Sequence, residues 1–217
     1  MKALFIFAHP DDEAFGPGGT MSLWISQGSL IHLLCATKGE AGKNISQKET
    51  ARVRSKELKA SAKVLGIEKI QFLGLKDGQI GNNDLAYLEK KISQKVKSFQ
   101  PDLILTFDLN GVSGHLDHIA VASATTQSFK KTKVAKYLYY FTITQEHTNQ
   151  IDDHFIYLPE GKLPHQIHQS IDVSSVWEKK LEAMYQHKSQ IEDIEFVLRL
   201  EEQVSSPKHE HFLIRQN

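Results

Sequence analysis

Six residues directly after the first apolar segment limit the folds and functions open to this chain. Residues 2–7 (Lys-Ala-Leu-Phe-Ile-Phe) have the composition of a buried strand, and residues 8–13 read Ala-His-Pro-Asp-Asp-Glu. In open α/β sheets, ligands bind at the carboxyl ends of the strands. Because carboxylates held close together repel one another, an imidazole and three carboxylates at this position predict a divalent-metal site.

The first 140 residues alternate short apolar runs with longer segments of helical periodicity, which is typical of a mostly parallel sheet flanked by helices. We therefore predict an α/β fold with a Rossmann-like sheet and one domain over residues 1–217. The predicted strands cover residues 2–8, 30–37, 69–73, 102–107 and 134–141. The predicted helices between them cover residues 19–27, 48–65, 84–99 and 117–129.

The pattern loosens after about residue 150, which predicts a modified C-terminal portion. Short strands are expected over 155–158 and 171–173, and helices over 174–187 and 191–202. The histidine pairs His165/His168 and His209/His211 lack cysteines or a frame of carboxylates. Such pairs are more typical of solvated side chains than of metal ligands.

Charge and composition narrow the classes of partner. Basic and acidic side chains number 26 each, so no excess of positive charge favours nucleic acid or an anionic membrane. We predict a small-molecule partner, no nucleic acid and no stable membrane insertion, and the sequence leaves homo-oligomerisation open. Apolar runs stay short of the roughly 18 residues that a spanning helix needs. The single cysteine, Cys35, lies in an apolar run, so we expect a reducing, cytoplasmic location.

A second run with similar chemistry follows a later strand. Residues 103–107 (Leu-Ile-Leu-Thr-Phe) are apolar, and residues 114–118 read Gly-His-Leu-Asp-His before the next predicted helix. Because parallel strands end at the same edge of a sheet, we expect the two runs to meet. A catalytic zinc ion takes three nitrogen or oxygen ligands and leaves a position for water. The histidines and aspartates left over suit proton transfer.

Each run taken alone also fits a structural role. Pro10 and the aspartates beside it fit a strand-end turn, and His115 and His118 fit a surface pair near a helix start. Two such runs at one sheet edge favour the metal site. A dinucleotide-binding loop beginning at residues 16–19 has less support, because Met21 occupies its third glycine position.

The two runs resemble the hallmark motifs of the LmbE-like or PIG-L family of zinc-dependent N-acetylglucosaminyl deacetylases. Those motifs read Ala-His-Pro-Asp-Asp-Glu and Gly-His-Pro-Asp-His. This chain has the first intact at 8–13 and the second at 114–118, with Leu116 in place of proline. Weaker family-like stretches extend the resemblance over nearly the whole chain, at residues 37–42, 54–57, 65–67 and 179–190.

The resemblance implies a metal centre and a general base. It implies that His9, Asp12 and His118 bind one Zn²⁺ per chain, and the ligand types leave other divalent ions such as Fe²⁺ open. It also implies that Asp11 takes a proton from the metal-bound water.

Four further roles follow from the same resemblance. His115 is implied as the general acid or electrophile, and Asp117 as the partner that holds its tautomer and favours imidazolium. Arg54 and Asp77 are implied as substrate contacts, Arg54 toward an anionic or hydroxyl group and Asp77 toward sugar hydroxyls. The residues themselves leave other roles open, because Arg54 lies near Glu57 on a charge-rich helix and Asp77 precedes a glycine as in an ordinary turn.

The activity implied is metal-assisted hydrolysis that removes an acetyl group from an N-acetylglucosamine-type substrate. One alternative keeps the site and changes the substrate to an amide of a thiol conjugate, an antibiotic or a nucleoside. Another is a non-catalytic carbohydrate- or metal-binding protein. Leu116 and the absence of a tyrosine just before Gly114 keep that second alternative open.

Overall fold

The structure is a computed structural model that describes residues 1–42, 46–151, 157–205 and 207–217. Within these residues, seven strands form one sheet. They are β1 (Lys2–Phe7), β2 (Leu30–Cys35), β3 (Lys69–Phe72), β4 (Leu103–Phe107), β5 (Tyr137–Thr142), β6 (Gln169–Asp172) and β7 (His209–Gln216).

Helices cover both faces of this sheet, as a parallel sheet requires. Those in the described residues are α1 (Asp12–Phe15), α2 (Gly18–Ser26), α3 (Gln47–Leu65), α4 (Asn82–Phe99), α5 (Leu116–Thr132), α6 (Gln145–Thr148), α7 (Trp177–Met184) and α8 (Ile191–Glu202). Short 3₁₀ turns lie at Pro164–Gln166, Ser174–Val176 and Lys188–Gln190.

The strand order is β3-β2-β1-β4-β5-β7-β6, with β1 to β5 parallel and β7 antiparallel to both of its neighbours. The chain winds from β1 toward β2 on one side and returns to β4 on the other. The strand order therefore reverses between β1 and β4, which is the position where ligands bind in open α/β sheets. Both sequence runs leave the sheet at this position, which confirms the predicted fold class.

Strand β1, the middle strand of the parallel part of the sheet, is buried beyond its first residue because both of its faces are covered. Residues 3–7 are all buried, and Phe5 lies opposite Leu33 of β2 and Leu105 of β4. Such continuous apolar runs, rather than alternating ones, are what a doubly covered parallel strand needs. Packing on both faces holds the end of β1 in place, and it thereby positions the start of the first sequence run.

Two helices bring remote residues to the end of β1. The long helix α3 begins after Ser46, whose hydroxyl accepts a hydrogen bond from the backbone N–H of Glu49. It ends at Gly66, which adopts a φ of 89° that favours glycine. Helix α7 packs against α1, α2 and α3, so residues near its end reach the first sequence run.

Strand β7 forms in a segment for which the sequence predicts no strand. Its buried side chains include Glu210, which is 3% exposed, and His211, which lies on the opposite face of the sheet. Glu210 accepts hydrogen bonds from Lys180 and from the backbone N–H groups of Gly19 and Thr20. Because these buried residues are polar, β7 lacks the alternation of apolar and polar side chains that marks a strand. His211 is therefore not the solvated side chain that its spacing predicts.

The other helices and strands predicted after residue 150 agree with the structure in part. Helix α8 (Ile191–Glu202) has the predicted bounds, and the predicted helix over 174–187 is a 3₁₀ turn followed by α7. The strand expected over 171–173 is the last part of β6. The strand expected over 155–158 falls partly outside the described residues. In the described part of the chain, every helix is too short or too polar to cross a membrane.

Candidate active site

The three residues that the resemblance assigns to a metal lie together at the end of β1. Nδ1 of His9 lies 3.2 Å from Nε2 of His118. The Asp12 carboxylate lies 3.4 Å from that Nε2 through Oδ1 and 3.8 Å from Nδ1 of His9 through Oδ2. Two imidazole nitrogens and a carboxylate thus face one point, although Asp12 and His118 are 106 positions apart in the sequence. Their role as ligands stays a prediction.

The other nitrogen of His9 is held by two carboxylates. Nε2 lies 2.9 Å from Oδ1 of Asp77 and 3.1 Å from Oδ2 of Asp117. Carboxylates can only accept, so Nε2 carries a proton and Nδ1 is the nitrogen available to a ligand. Burial lowers the pKa of His9, but the hydrogen bonds to Asp117 and Asp77 outweigh it and raise the pKa to about 10. The carboxylates around His9 therefore favour a positive charge at Nδ1, which a metal ion would supply in place of a second proton.

His118 is oriented in the same way. Its Nδ1 donates to the backbone carbonyl of Gly111 at 3.0 Å, which leaves the lone pair of Nε2 toward Asp12. The ring stacks on Phe107 of β4, with centroids 4.0 Å apart and planes within 3°. Burial and the neighbouring His9 hold the pKa of His118 well below its usual value. A neutral imidazole with a free Nε2 is the form that binds a metal.

Asp12 completes this donor set. Its Oδ2 accepts hydrogen bonds from the backbone N–H groups of Ala8, at 3.1 Å, and His9, at 2.6 Å. Burial raises the pKa of this carboxyl to about 7, in spite of the charge on His9. A divalent cation stabilises a buried carboxylate of this kind. Two nitrogens with fixed tautomers and one carboxylate are the ligand types that zinc prefers, so the residues present fit the metal that the resemblance implies.

Asp11 lies beside this cluster in a strained backbone conformation. Its φ is 117°, a value that residues other than glycine rarely adopt. Its Oδ2 accepts a hydrogen bond of 2.7 Å from Nη2 of Arg54, and the same Nη2 donates to the carbonyl of Pro10. Burial raises the pKa of Asp11, and the Arg54 charge opposes that rise. A buried carboxylate with a raised pKa is suited to take up a proton.

Glu13 and His187 form a buried network that supports Asp11, and sequence reasoning did not assign them a role in the site. One oxygen of Glu13 accepts from the backbone N–H of Asp11 at 3.0 Å. The other accepts from Ser61 at 2.6 Å and from Nε2 of His187 at 2.7 Å. Burial raises the pKa of Glu13, but His187 outweighs burial and the net shift is downward. The network ties α3 and the segment after α7 to the strained residue.

We expect His187→Ala to lower the free energy of unfolding by about 3–5 kcal/mol, because it leaves the buried Glu13 carboxylate without its cationic partner. The side chains of His187 and Glu13 are 0% and 1% exposed. Urea unfolding of the two proteins measures the difference. The matched control is His165→Ala at an exposed histidine, for which we expect a change within about 0.5 kcal/mol. Equal effects of the two substitutions would contradict a stabilising role for this network.

His115 and Asp117 differ from the predicted arrangement. The resemblance implies that Asp117 holds the His115 ring, but its carboxylate binds Nε2 of His9 and the backbone N–H groups of Gly78 and Ile80. Asp117 lies in the first turn of α5, and its backbone N–H donates to Nδ1 of His115 at 3.1 Å. Nε2 of His115 therefore carries the proton. Burial and the charge of His9 lower the pKa of His115, which favours a neutral ring over the expected imidazolium.

The substituted position in the second run has little contact with the site. Leu116 is the first residue of α5, and 75% of its surface is exposed. Proline is favoured at that helix position because its φ is already helical and its missing N–H is not needed. The exchange of proline for leucine therefore affects the start of α5 and leaves His115 and His118 in place.

Arg54 and Asp77 are both buried, and protein groups already engage them. Arg54 binds Asp11 and Pro10, and its Nη1 donates to the Gly39 carbonyl at 3.3 Å. Asp77 accepts from His9 through Oδ1 and from the backbone N–H of Ala41 through Oδ2. Burial raises the pKa of Asp77, but the hydrogen bond from His9 outweighs it and lowers the pKa to about 2. Both residues line the cavity, so their contact with a substrate stays a prediction.

The cluster opens into a cavity of about 500 Å³. His9, Asp11, Asp12, His115 and His118 all line it, whereas Asp117 does not. One ligating nitrogen of His115 also lies within 4.8 Å of those of His9 and His118. A small molecule in this cavity reaches the candidate ligands, Asp11 and His115 together.

Comparison with known protein families identifies the family of this chain. Residues 4–129 match the model of the PIG-L family, described as GlcNAc-PI de-N-acetylase. This match covers more than half of the chain and includes both sequence runs. The chain belongs to the PIG-L family. The resemblance found in the sequence is thereby confirmed.

Relatives within and around the PIG-L family include deacetylases. The chain is 33% identical over 135 residues to a probable N-acetyl-alpha-D-glucosaminyl L-malate deacetylase 2 of Bacillus cereus. This alignment covers 59% of the chain and 60% of that relative, so the chain spans less than two thirds of its length.

Two solved structures share the fold of this PIG-L protein. The N,N'-diacetylchitobiose deacetylase of Pyrococcus horikoshii has a TM-score of 0.76 at 22% identity, covering 99% of this chain and 84% of the other. GalB, a 4-carboxy-2-hydroxymuconate hydratase of Pseudomonas putida, has a TM-score of 0.76 at 19% identity, covering 100% and 96%. Because a deacetylase and a hydratase share the architecture, the reaction must be argued from the site.

Proposed function

We propose that this chain is a metal-dependent deacetylase that hydrolyses the acetamido group of an N-acetylglucosamine-type small molecule. The observation that carries the proposal is the convergence of His9, Asp12 and His118 in a cavity that also contains Asp11 and His115. A binding protein needs the ligands alone. A carboxylate and an N–H donor beside them are the additional groups that hydrolysis needs.

The proposed metal ligands are His9 through Nδ1, His118 through Nε2 and the Asp12 carboxylate. We propose one Zn²⁺ per chain, and the mixed nitrogen and oxygen set also suits Fe²⁺. When bound, such an ion polarises a carbonyl and lowers the pKa of water. Asp77 and Asp117 hold His9 in the required tautomer, and Gly111 does so for His118.

Asp11 is the proposed general base. It lies in the cavity, and its Oδ2 is fixed by Arg54. In the proposed reaction it accepts a proton from the attacking water as the new C–O bond forms. The C–N bond then breaks, and the proton passes to the departing nitrogen, so that one acetate and one amine result.

His115 is the proposed donor to the developing oxyanion. Its Nδ1 is occupied by the backbone N–H of Asp117, so its Nε2–H remains available to a ligand in the cavity. A neutral N–H donor stabilises negative charge on the former carbonyl oxygen without a net transfer of a proton. In this proposal Asp117 positions both His9 and His115, one through its carboxylate and the other through its backbone.

Relatives support the acetamido substrate. The Bacillus cereus protein is named for an N-acetylglucosaminyl compound, and the Pyrococcus horikoshii structure for an acetylated disaccharide. We propose the same class of acetylated amino sugar as the partner of this chain. We also propose that residues 1–217 act as one cytoplasmic domain in which the buried Cys35 is a free thiol.

A panel of acetylated compounds tests the proposal. The metal-loaded protein is incubated separately with an N-acetylglucosaminide, an N-acetyl amino acid and an N-acetylated nucleoside. We expect equal amounts of acetate and free amine from the N-acetylglucosaminide alone. Release from another class would move the function to the amidase alternative, and an intact amide with metal bound would support a binding protein instead.

A further inference from the structure

The cavity extends well beyond the candidate ligands. Its volume of about 500 Å³ is in the range of sites for drug-sized ligands. A second part of its lining belongs to α8, which is remote in sequence from both motif runs.

Helix α8 presents a continuous stripe of side chains to this part of the cavity. The stripe has the spacing i, i+3, i+4, i+7 and i+8, which is one face of a helix, and consists of Asp193, Phe196, Val197, Leu200 and Glu201. Its three central members are apolar, and an acidic residue stands at each end. The fully buried Ile194 anchors the same helix in the core.

Apolar side chains from three other segments also line this cavity. Phe15 follows the first sequence run, Phe141 lies near the end of β5, and Ile151 follows α6. Apolar surface in contact with water is unfavourable, and an apolar ligand that covers it gains roughly 25 cal/mol per Å². A cavity lined by the apolar side chains of α8 and of these segments therefore favours an apolar occupant.

Two polar side chains that line the cavity, Lys180 and His147, already have protein partners. Lys180 donates to the carbonyl of Gly16 and to Glu210. Nδ1 of His147 lies 2.7 Å from the Thr144 hydroxyl, and its Nε2 lies 3.6 Å from Glu201. Sugar hydroxyls would have to compete with these contacts, whereas an alkyl chain or an aromatic ring would not.

We infer that the substrate is an amphipathic N-acetylated amino compound whose apolar group lies against Phe196, Val197 and Leu200 of α8. The inference rests on the proposed function, because it places the acetamido group at the candidate ligands. The apolar region is continuous with that site, so one molecule occupies both. The substrate thus joins an acetylated amino sugar to an alkyl chain or aromatic ring.

Matched substrates test the inference on the metal-loaded protein. The methyl, hexyl and phenyl glycosides of N-acetylglucosamine share the reacting amide and differ in the apolar group. We expect kcat/KM for the hexyl and phenyl glycosides to exceed that of the methyl glycoside by about 10- to 100-fold, mainly through a lower KM. A disaccharide of N-acetylglucosamine serves as the polar comparison, and we expect it to be hydrolysed less well than the hexyl glycoside.

Two substitutions on α8 locate the effect. Leu200→Asp should remove most of the preference for the hexyl glycoside, whereas Ile191→Asp should retain it. Ile191 belongs to the same helix, is 44% exposed and does not line the cavity. If Leu200→Asp fails to fold, Leu200→Ala replaces it, and we expect a smaller loss of the preference in the same direction.

The outcomes separate this inference from the proposed function. Equal kcat/KM for the methyl and hexyl glycosides would overturn the inference and leave the deacetylase proposal intact. A preference for the disaccharide would do the same. If none of the glycosides is hydrolysed by protein with metal bound, the proposed function and the inference fail together. A hexyl preference unchanged in a folded Leu200→Asp protein would remove α8 from the binding surface.

Discussion

Asp11→Asn is expected to lower kcat by about 10²- to 10⁴-fold, the range that general acid–base catalysis contributes. Asparagine has nearly the same shape and tolerates the positive φ of this position, so the backbone can keep its conformation. It cannot accept a proton from water. Acetate release under saturating substrate measures the loss of kcat.

The surroundings of Asp11 explain why replacing one of its carboxylate oxygens by an amide nitrogen should lower kcat so strongly. Glu13 accepts from its backbone N–H, and Arg54 donates to its Oδ2. These contacts fix the carboxylate within the cavity that His9 and Asp12 also line. Charge neutralisation at Asp11 removes the base but leaves the three candidate ligands in place. We therefore expect the variant to retain wild-type metal content.

The control for Asp11→Asn is Asp172→Asn, at an exposed aspartate of β6. We expect this control to keep kcat within about 2-fold, as surface substitutions away from a site usually have small effects. Thermal unfolding identifies any loss of structure in either protein. Unchanged turnover in a folded, metal-bound Asp11→Asn protein would remove Asp11 from the role of base.

His118→Ala is expected to abolish stable metal binding and, with it, acetate release. The substitution removes one of two imidazole nitrogens that face the Asp12 carboxylate. It also leaves the acceptor Gly111 and the face of Phe107 without their partner. Elemental analysis after dialysis measures the metal, for which we expect about one equivalent in the wild type and little in the variant.

The matched control for this loss is His165→Ala, in the 3₁₀ turn Pro164–Gln166. It removes an exposed histidine and should leave both metal content and turnover unchanged. A His118→Ala protein that retains a full equivalent of metal would exclude His118 as an essential ligand. His115 would then be the next ligand to test, because one of its nitrogens lies within 4.8 Å of a ligating nitrogen of His9.

The parallel half of the fold could be predicted because local sequence patterns identify its strands. Continuous apolar runs such as residues 3–7 and 103–107 suit strands covered on both faces, and glycine or proline marks several helix ends. Strand β7 could not be predicted in this way. Its inward Glu210 depends on Lys180, a partner on another element that no local pattern reveals.

In the candidate site, too, local sequence patterns predict some features, and others depend on contacts between distant segments. The two sequence runs predict that His9, Asp12 and His118 meet, because strand ends at a switch point are neighbours. The supporting contacts depend on tertiary packing. Asp117 lies only two residues from His115, yet its carboxylate reaches His9, since the turn of α5 and the loop after β3 decide its direction.

The most direct test of the central claim is a zinc titration of the wild-type protein after a chelator has removed its metal. Acetate release from an N-acetylglucosaminide is measured at each addition of Zn²⁺. If His9, Asp12 and His118 hold a catalytic ion, the rate should rise from background and reach its maximum near one equivalent per chain. Full activity in the metal-free protein, or no activity with one equivalent bound, would contradict the account.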